Sequence, residues 1–538
     1  MLSLLNKDHP GIPLLTPQWK ATLNSPIDWL RMWGIAALAE VNDWIRILLP
    51  LCVPVLMLFR VVTGMHYLRV KAGERERTIM NWEVSRRNFL AGSVGFAALG
   101  NPIAAAAQSV GVKAGDLPDL TIKEVKVYVT DLGNYRSLNG ETGELFSVVT
   151  NGGIEGNYTP GNRNPTVGWL QWAKSALVGK SVLDLLPTLT STSGLHGTYG
   201  FNGELYGAHG PGVHLQGGST FHRAPAVGYG SAFDTPGIGG GLITRAGGQW
   251  PNWYTAAADV CLWDILGKAV NRPIYKLLSG GCGGAKDRIM AYASSTHHPA
   301  IEDYAPEVVQ AKAQGFKGYK IHPGGGQHRQ GPAIPAYIGH MEEIRQVRQA
   351  AGDEFMLAHD PVQVYNRYEA MKVGRLLDEL NYAWFEDPIR TTDMDGLIEL
   401  CSALSLPIHV GEFLYSISDF AEYICKGALD VARLIADNVG GISGSMRVGL
   451  LADAFGLECT PHNWGNTLDL AVHFHLELAL PNAAWFEVPF PPELSDHPYF
   501  DYKFRPDKDG YILAPTAPGL GYPINRDALS NITKRIDR

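Results

Sequence analysis

The chain has 538 residues, 45% hydrophobic and 18% charged, which supports a large buried core and excludes a disordered protein. Its 61 glycines follow no repeat, which excludes a fibrous protein. The net charge is −8, but residues 1–108 hold 11 basic and 7 acidic residues, so residues 109–538 carry the negative charge. An acidic segment without basic runs argues against a nucleic-acid partner.

A candidate signal peptide occupies residues 80–108. Residues 85–87 read Ser-Arg-Arg, a weakly apolar run follows over 89–100, and residues 104–107 are all alanine. A positive start, a short apolar run and an Ala-x-Ala-like cleavage site resemble a twin-arginine export signal. The alternative is a basic helix followed by an Ala-rich linker. The signal predicts the export machinery as a partner and a periplasmic location in a bacterium.

Residues 1–79 precede this motif. Twin-arginine signals normally begin a protein, so we expect translation to start at Met80. The apolar run 47–59 is interrupted by Pro50 and Pro54, and it is too short to span a bilayer comfortably. A membrane anchor in this run is the less favoured alternative.

Residues 118–285 mix strand and helix patterns. Alternating apolar and polar residues predict a strand and a hairpin around Asn151-Gly152, and helical periodicity predicts two helices. The ranges are 119–130 for the strand, 145–158 for the hairpin, and 168–186 and 254–278 for the helices. The Gly- and His-rich segment 194–248 is too long for an ordinary connection, so we expect a functional loop.

Short apolar runs alternate with helix-period segments over residues 286–494. The predicted strands are 289–294, 316–322, 355–360, 383–387, 407–412, 431–437, 456–461 and 484–488. The predicted helices are 303–314, 336–351, 366–380, 393–404, 416–427, 443–454 and 467–479. Eight strands alternating with seven helices indicate an α/β fold with a parallel sheet closed into a barrel. An open doubly wound sheet is the alternative, disfavoured because no Gly-x-Gly-x-x-Gly opens a first helix.

Three carboxylates lie at matching strand ends. Asp360, Glu386 and Glu412 are spaced 26 residues apart, which is one strand–helix repeat, so all three are expected at the mouth of the barrel. Converging carboxylates repel one another unless a cation lies between them, and all-oxygen ligation suits Mg²⁺. The alternative is three unrelated acids that cap helices or pair with arginines.

Other titratable residues lie at the same predicted edge. Asp437 and His462 end neighbouring strands, and a carboxylate that accepts one imidazole N–H fixes the tautomer and raises basicity. Lys320 and His322 alternate by two, so both can face the mouth. Glu487 ends the eighth strand. For each, the alternative is a structural contact at the rim of the barrel.

These residues resemble the enolase superfamily, in its mandelate racemase and muconate lactonizing enzyme branch. The helix 256–268, running on to residues 273–278, resembles the signature helix that precedes the barrel in that family. Trp384-Phe-Glu-Asp-Pro388 and the glycines of 509–521 are also family-like. The resemblance covers residues from about 119 to 538.

The resemblance implies a (β/α)7β TIM-like barrel over 286–494 with an α+β N-terminal capping domain over 118–285, completed by 495–538. It implies that the three carboxylates bind Mg²⁺, that His462 with Asp437 is a general base or acid, and that Lys320 lies near the substrate carboxylate or on the opposite face. Glu487 would hydrogen-bond a carboxylate oxygen. Superfamily members often form homo-oligomers.

The sequence also departs from the family pattern. Strand 2 carries Lys-x-His where racemase-type members carry Lys-x-Lys, so His322 is expected to be a general acid or a base. Pro361-Val362 follows Asp360 where many members place an Asn, and residues 323–332 are an apparent insertion.

The resemblance leaves three functions open. Mg²⁺-dependent dehydration of an acid sugar to a 2-keto-3-deoxy acid, through an ene-diolate, is favoured because it needs one base and one acid. A racemase, epimerase or lactone-forming enzyme needs groups on both faces of the substrate. A non-catalytic sugar-acid binding protein is the third possibility. In each case the partner is a small carboxylate.

Overall fold

The structure of the chain is a computed structural model. The described residues are 67–72, 75–80, 117–132, 142–159, 166–189, 253–279, 285–324 and 335–538. The chain divides into two compact units, residues 1–98 and 99–538. In the first unit, strands β1 (Tyr67–Ala72) and β2 (Arg75–Met80) form an antiparallel ribbon.

The second unit begins with an antiparallel sheet. Strands β3 (Ile122–Asp131), β4 (Thr142–Thr150) and β5 (Glu155–Tyr158) pair in sequence order, and the turn between β4 and β5 contains the predicted Asn151-Gly152. Every second side chain of β3 from Val125 onward is buried, which is the alternation expected of a sheet with one covered face.

Two helices follow this hairpin where one was predicted. Helices Thr166–Leu177 and Val182–Leu189 are separated at Gly179, whose φ of +80° ends the first helix. At this break the Gly179 N–H donates a hydrogen bond to the Ile122 carbonyl oxygen at 2.8 Å, which connects the helices to β3.

The predicted helix 254–278 is also interrupted. It forms Trp253–Ala269 and Ile274–Leu278, with Asn271 at a φ of +53° and Pro273 between them. The long helix lies directly on β5, because a Cβ at Gly156 would be 2.0 Å from the Cys261 carbonyl oxygen.

Eight parallel strands then form the barrel wall. They are β6 (Arg288–Ser294), β7 (Gly318–Ile321), β8 (Met356–His359), β9 (Trp384–Glu386), β10 (Ile408–Val410), β11 (Val431–Ala432), β12 (Glu458–Cys459) and β13 (Trp485–Pro489). Neighbours in sequence pair from β6 to β12, and β13 pairs with β6. The ladder is interrupted between β12 and β13, where the Asn463 N–H donates to the Glu487 carboxylate at 2.7 Å.

Helices cover the outside of the barrel. The seven predicted ones form as Tyr304–Ala313, Ala336–Ala351, Arg367–Glu379, Met394–Ala403, Ile417–Lys426, Gly441–Ala454 and Thr467–Ala479, and Ala436–Val439 is an additional short helix. Four begin at residues whose side chains cap the first turn, as sequence rules expect: Asn366, Asp393, Ser416 and Asn466. All eight strands and seven helices of the predicted alternation are confirmed.

The C-terminal segment returns to both sheets. Strand β14 (Tyr511–Leu513) pairs antiparallel with β6, helix Arg526–Ile532 follows, and β15 (Thr533–Asp537) pairs antiparallel with β3. The C-terminal strand therefore completes the N-terminal sheet, as the resemblance implies. The exact domain boundaries stay a prediction.

Several predictions lie outside the described residues. They are the apolar run 47–59, nearly all of the signal segment 80–108, the loop 194–248 and most of the insertion 323–332. Within the part of the chain that the structure describes, no helix combines the length and apolarity that crossing a bilayer requires.

Asp259 gives the fold a pH dependence that can be tested. Its carboxylate accepts hydrogen bonds from the Ser443 hydroxyl at 2.6 Å and the Ser443 N–H at 3.0 Å, which joins helix Trp253–Ala269 to helix Gly441–Ala454. Burial nevertheless raises the pKa of Asp259 to about 7. An unfolded aspartate titrates near about 4, so the folded state binds the extra proton and stability should fall as the pH rises from about 4 to 7.

We expect Asp259→Asn to remove this dependence. The melting temperature of the wild type should decline relative to that of the variant between about pH 4 and pH 7, measured by scanning calorimetry. Asp527→Asn, at an exposed position, is the control and should follow the wild type. Parallel curves for Asp259→Asn and wild type would show that Asp259 titrates normally.

Candidate active site

The carboxyl ends of the barrel strands bring the predicted residues together. On β7, Tyr319 faces outward and donates its hydroxyl to Glu307 at 2.8 Å, so Gly318 and Lys320 face inward. A Cβ at Gly318 would lie 2.0 Å from the Met356 methyl group, so a larger residue there would have to displace the Met356 side chain. The strand thus delivers Lys320 to the centre of the mouth.

The three predicted metal ligands converge. Asp360 directly follows β8, Glu386 ends β9 and Glu412 lies two residues beyond β10. One carboxylate oxygen from each lies within 4.8 Å of those of the other two, and all three side chains are buried. The donor set is all oxygen and can hold a hard divalent cation.

The ionisation of this group depends on a cation. Burial and the Asp360 carboxylate raise the pKa of Glu412 well above its usual range, and burial raises the pKa of Glu386 against the opposing effect of Arg433. Burial also raises the pKa of Asp360, but Lys320 and His322 outweigh it and the pKa lies well below its usual range. A divalent cation between the carboxylates would relieve this repulsion.

Lys320 is the first positive partner of the cluster. Its Nζ lies 3.0 Å from Asp360 Oδ2, 2.9 Å from Glu386 Oε1 and 2.8 Å from Glu487 Oε1, and it is fully buried. Burial and Arg433 lower the pKa of Lys320, but the carboxylates outweigh them and hold it well above its usual value. Lys320 is therefore an ammonium ion, and its positive charge lies at the centre of the carboxylate cluster.

His322 lies beside the same carboxylate. Its Nε2 is 2.9 Å from Asp360 Oδ2 and its Nδ1 is 2.6 Å from the Ser295 carbonyl oxygen. Both ring nitrogens lie beside oxygen acceptors, so the ring can donate a hydrogen bond from either nitrogen that carries a proton. Trp464 contacts the ring edge-on at 5.0 Å between ring centroids. The geometry suits a proton donor.

Arg433 is a site residue that was not among those predicted. It follows β11, is fully buried, and donates to the carboxylates of Glu386 and Glu487. A sequence signal was present, because Arg433 is the one charged residue in the apolar run 431–436. Such a charge in a buried strand needs a partner, although the sequence alone does not say which.

Glu487 lies between two cations. It lies within β13, forms an ion pair with Lys320 and accepts hydrogen bonds from Arg433 and the Asn463 N–H. Burial raises the pKa of Glu487, but Arg433 and Lys320 outweigh it and hold the pKa well below its usual range. An ionised carboxylate accepts hydrogen bonds and donates none, so Glu487 orients Lys320 and Arg433, and its hydrogen bond to a substrate carboxylate stays a prediction.

His462 is positioned as a proton acceptor. It lies three residues beyond β12, with Nε2 3.0 Å from Glu412 Oε2. Burial lowers the pKa of His462 well below its usual value, and the opposing charge of Glu487 does not reverse this. The imidazole is therefore neutral near pH 7 and able to accept a proton.

Asp437 does not end a strand, contrary to the prediction. Strand β11 stops at Ala432, and Asp437 lies in the short helix Ala436–Val439. Its Oδ1 accepts the Tyr158 hydroxyl at 2.8 Å, and that hydroxyl is also 3.1 Å from Asp469 Oδ1. Asp437 thus receives a side chain from the N-terminal sheet, and its pairing with His462 stays a prediction.

Comparison with known proteins agrees with this architecture. Residues 303–528 match the family described as Enolase C-terminal domain-like. The arabinonate dehydratase of Saccharolobus solfataricus is 30% identical over 275 residues, which cover 50% of this chain and 69% of that protein. The chain belongs to the enolase superfamily. The L-talarate/galactarate dehydratase of Salmonella typhimurium is 31% identical over 231 residues, covering 43% of this chain and 54% of that protein.

Solved structures of superfamily members share the fold. The crystal structure of D-glucarate dehydratase from Agrobacterium tumefaciens, complexed with magnesium, aligns with a TM-score of 0.58 and 24% identity over 78% of this chain and all of that one (100%). The predicted α/β architecture, a TIM-like barrel with a capping domain, is confirmed.

Proposed function

We propose that this enolase superfamily member is a Mg²⁺-dependent lyase that dehydrates an acid sugar, an aldonate or aldarate, to a 2-keto-3-deoxy acid. The observation that carries the proposal is the combination of three convergent carboxylates with a buried ammonium, Lys320, and a neutral imidazole, His462. The superfamily relatives named as acid-sugar dehydratases support the substrate class.

Asp360, Glu386 and Glu412 would hold the metal, and the residues present fit it. The Asp360 carboxylate raises the pKa of both Glu386 and Glu412, so the three buried carboxylates form a donor set that a hard cation stabilises. When bound, Mg²⁺ supplies Lewis-acid stabilisation of the charge that develops on the substrate carboxylate.

The chain's own residues perform the proton transfers. The proton α to a carboxylate is weakly acidic, because its removal places a second negative charge on the substrate. His462 accepts that proton. The Lys320 ammonium stabilises the developing negative charge, and such electrostatic stabilisation in a buried site lowers the barrier by several kcal/mol. His322 donates a proton to the departing β-hydroxyl, so that the C–O bond breaks and water leaves. The resulting enol tautomerises to the 2-keto-3-deoxy acid.

We expect proton NMR to detect this reaction directly. The full-length protein with Mg²⁺ in D₂O would be incubated with a panel of hexonic, pentonic and aldaric acids. One acid should lose its α-proton signal and yield a 2-keto-3-deoxy product. His462→Asn should lower the rate by about 10²–10⁴-fold, since a positioned base contributes that much.

The other outcomes separate the alternatives. Loss of the α-proton signal without dehydration would indicate a racemase or epimerase, and a cyclic product would indicate a lactone-forming enzyme. Binding heat without exchange in any acid would indicate a sugar-acid binding protein. Wild-type exchange that persists in His462→Asn would contradict the role of His462.

We also propose export to the periplasm, supported by the Ser-Arg-Arg motif and the apolar and Ala-rich segments that follow it. In a bacterial host with a twin-arginine pathway, the mature protein should appear in the periplasmic fraction. Joint Arg86→Lys and Arg87→Lys substitution should retain it in the cytoplasm, while joint Arg75→Lys and Arg77→Lys substitution should not. Equal distribution of both variants would contradict the proposal.

The homo-oligomer stays a prediction.

A further inference from the structure

Arg433 uses every donor of its guanidinium group inside the barrel. Nε donates to Glu386 Oε1, and Nη2 donates to Glu487 Oε2 and to the Tyr292 hydroxyl at 3.0 Å. Nη1 donates to the carbonyl oxygens of Thr460 at 3.3 Å and Pro461 at 3.2 Å. A guanidinium carries five N–H donors in a rigid plane, and here all five have an acceptor.

Three side chains, including Arg433, fix the orientation of the Glu386 carboxylate. Lys320 and Arg433 both contact Oε1, and the Trp384 indole N–H donates to Oε2 at 3.2 Å. The carboxylate is thus held in one orientation by donors on three strands. Residues that orient a metal ligand typically change metal affinity or activity by about 10–100-fold when they are replaced.

We propose that Arg433 is a positioning residue for the metal site. Its planar guanidinium holds Glu386 in the orientation in which Glu386 binds the metal. The inference deepens the proposed function, because it rests on the same three carboxylates as metal ligands. It assigns to strand β11 a part in metal binding that none of the predicted residues supplied.

A role for Arg433 as a charge alone, or as a fold anchor alone, predicts a different result. If Arg433 acted only as a positive charge, it would weaken the attraction of the cluster for a cation. Arg433 places a positive charge beside the carboxylates of Glu386 and Glu487, so its loss would make the cluster more negative. If Arg433 only stabilised the fold, its replacement would leave the metal affinity of the folded protein unchanged.

Mn²⁺ binding to the full-length protein distinguishes these cases. Mn²⁺ accepts the same oxygen ligands as Mg²⁺, and electron paramagnetic resonance counts the free ion. Affinity and melting temperature would be measured for wild type, Arg433→Lys and Arg433→Gln. Arg348→Lys is the matched control. Arg348 is also buried, and its guanidinium donates hydrogen bonds to backbone carbonyl oxygens outside the site, such as those of Phe355 and Leu380.

We expect Arg433→Lys to weaken Mn²⁺ binding about 10–100-fold, although it keeps the charge. Arg348→Lys should lower the melting temperature without changing the affinity. Unchanged affinity in Arg433→Lys with tighter binding in Arg433→Gln would overturn the proposal in favour of charge alone. Unchanged affinity in both would overturn it in favour of a purely structural role.

A milder variant covers the case in which Arg433→Lys does not fold. Tyr292→Phe removes one acceptor of the guanidinium and preserves both ion pairs, so we expect Mn²⁺ binding to weaken in the same direction by less than about 10-fold. No change in Tyr292→Phe would then count against positioning. Because these measurements need no substrate, a failure to dehydrate any acid sugar would leave their result intact.

Discussion

A closed ring of alternating charges lies at the centre of the candidate active site. Lys320 contacts the carboxylates of Glu386 and Glu487 on one side, and Arg433 contacts the same two on the other. All four side chains are fully buried, where a charge that loses its partner costs about 3–5 kcal/mol. The four come from different strands, so forming the barrel and assembling the site are coupled.

The inside of the barrel is built around this ring. Beneath it lie aromatic side chains with polar edges: Tyr292 and Trp384 meet edge-on at 5.1 Å, and His409 stacks on Trp384 at 4.8 Å. Both Tyr292 and Trp384 also hydrogen-bond to ring members. These three side chains are buried, and charges in such a low-dielectric environment interact more strongly than they do in water.

The alternation of strands and helices could be predicted because buried parallel strands are continuous apolar runs and their helices keep a 3.6-residue period. The spacing of Asp360, Glu386 and Glu412 located the metal cluster for the same reason. The partners of each side chain could not be predicted, since strand tilt and stagger decide which neighbours meet. Asp437 was predicted at a strand end, but β11 ends at Ala432, five residues earlier. The helix break at Gly179 depends on its backbone hydrogen bond to β3.

The metal site can be tested directly by anomalous diffraction from crystals of the full-length protein grown with Mn²⁺. We expect one anomalous peak bounded by carboxylate oxygens of Asp360, Glu386 and Glu412, with Arg433 still bridging Glu386 and Glu487. A peak at another place, or no peak with the three carboxylates turned apart, would contradict the assignment of this cluster as the metal centre.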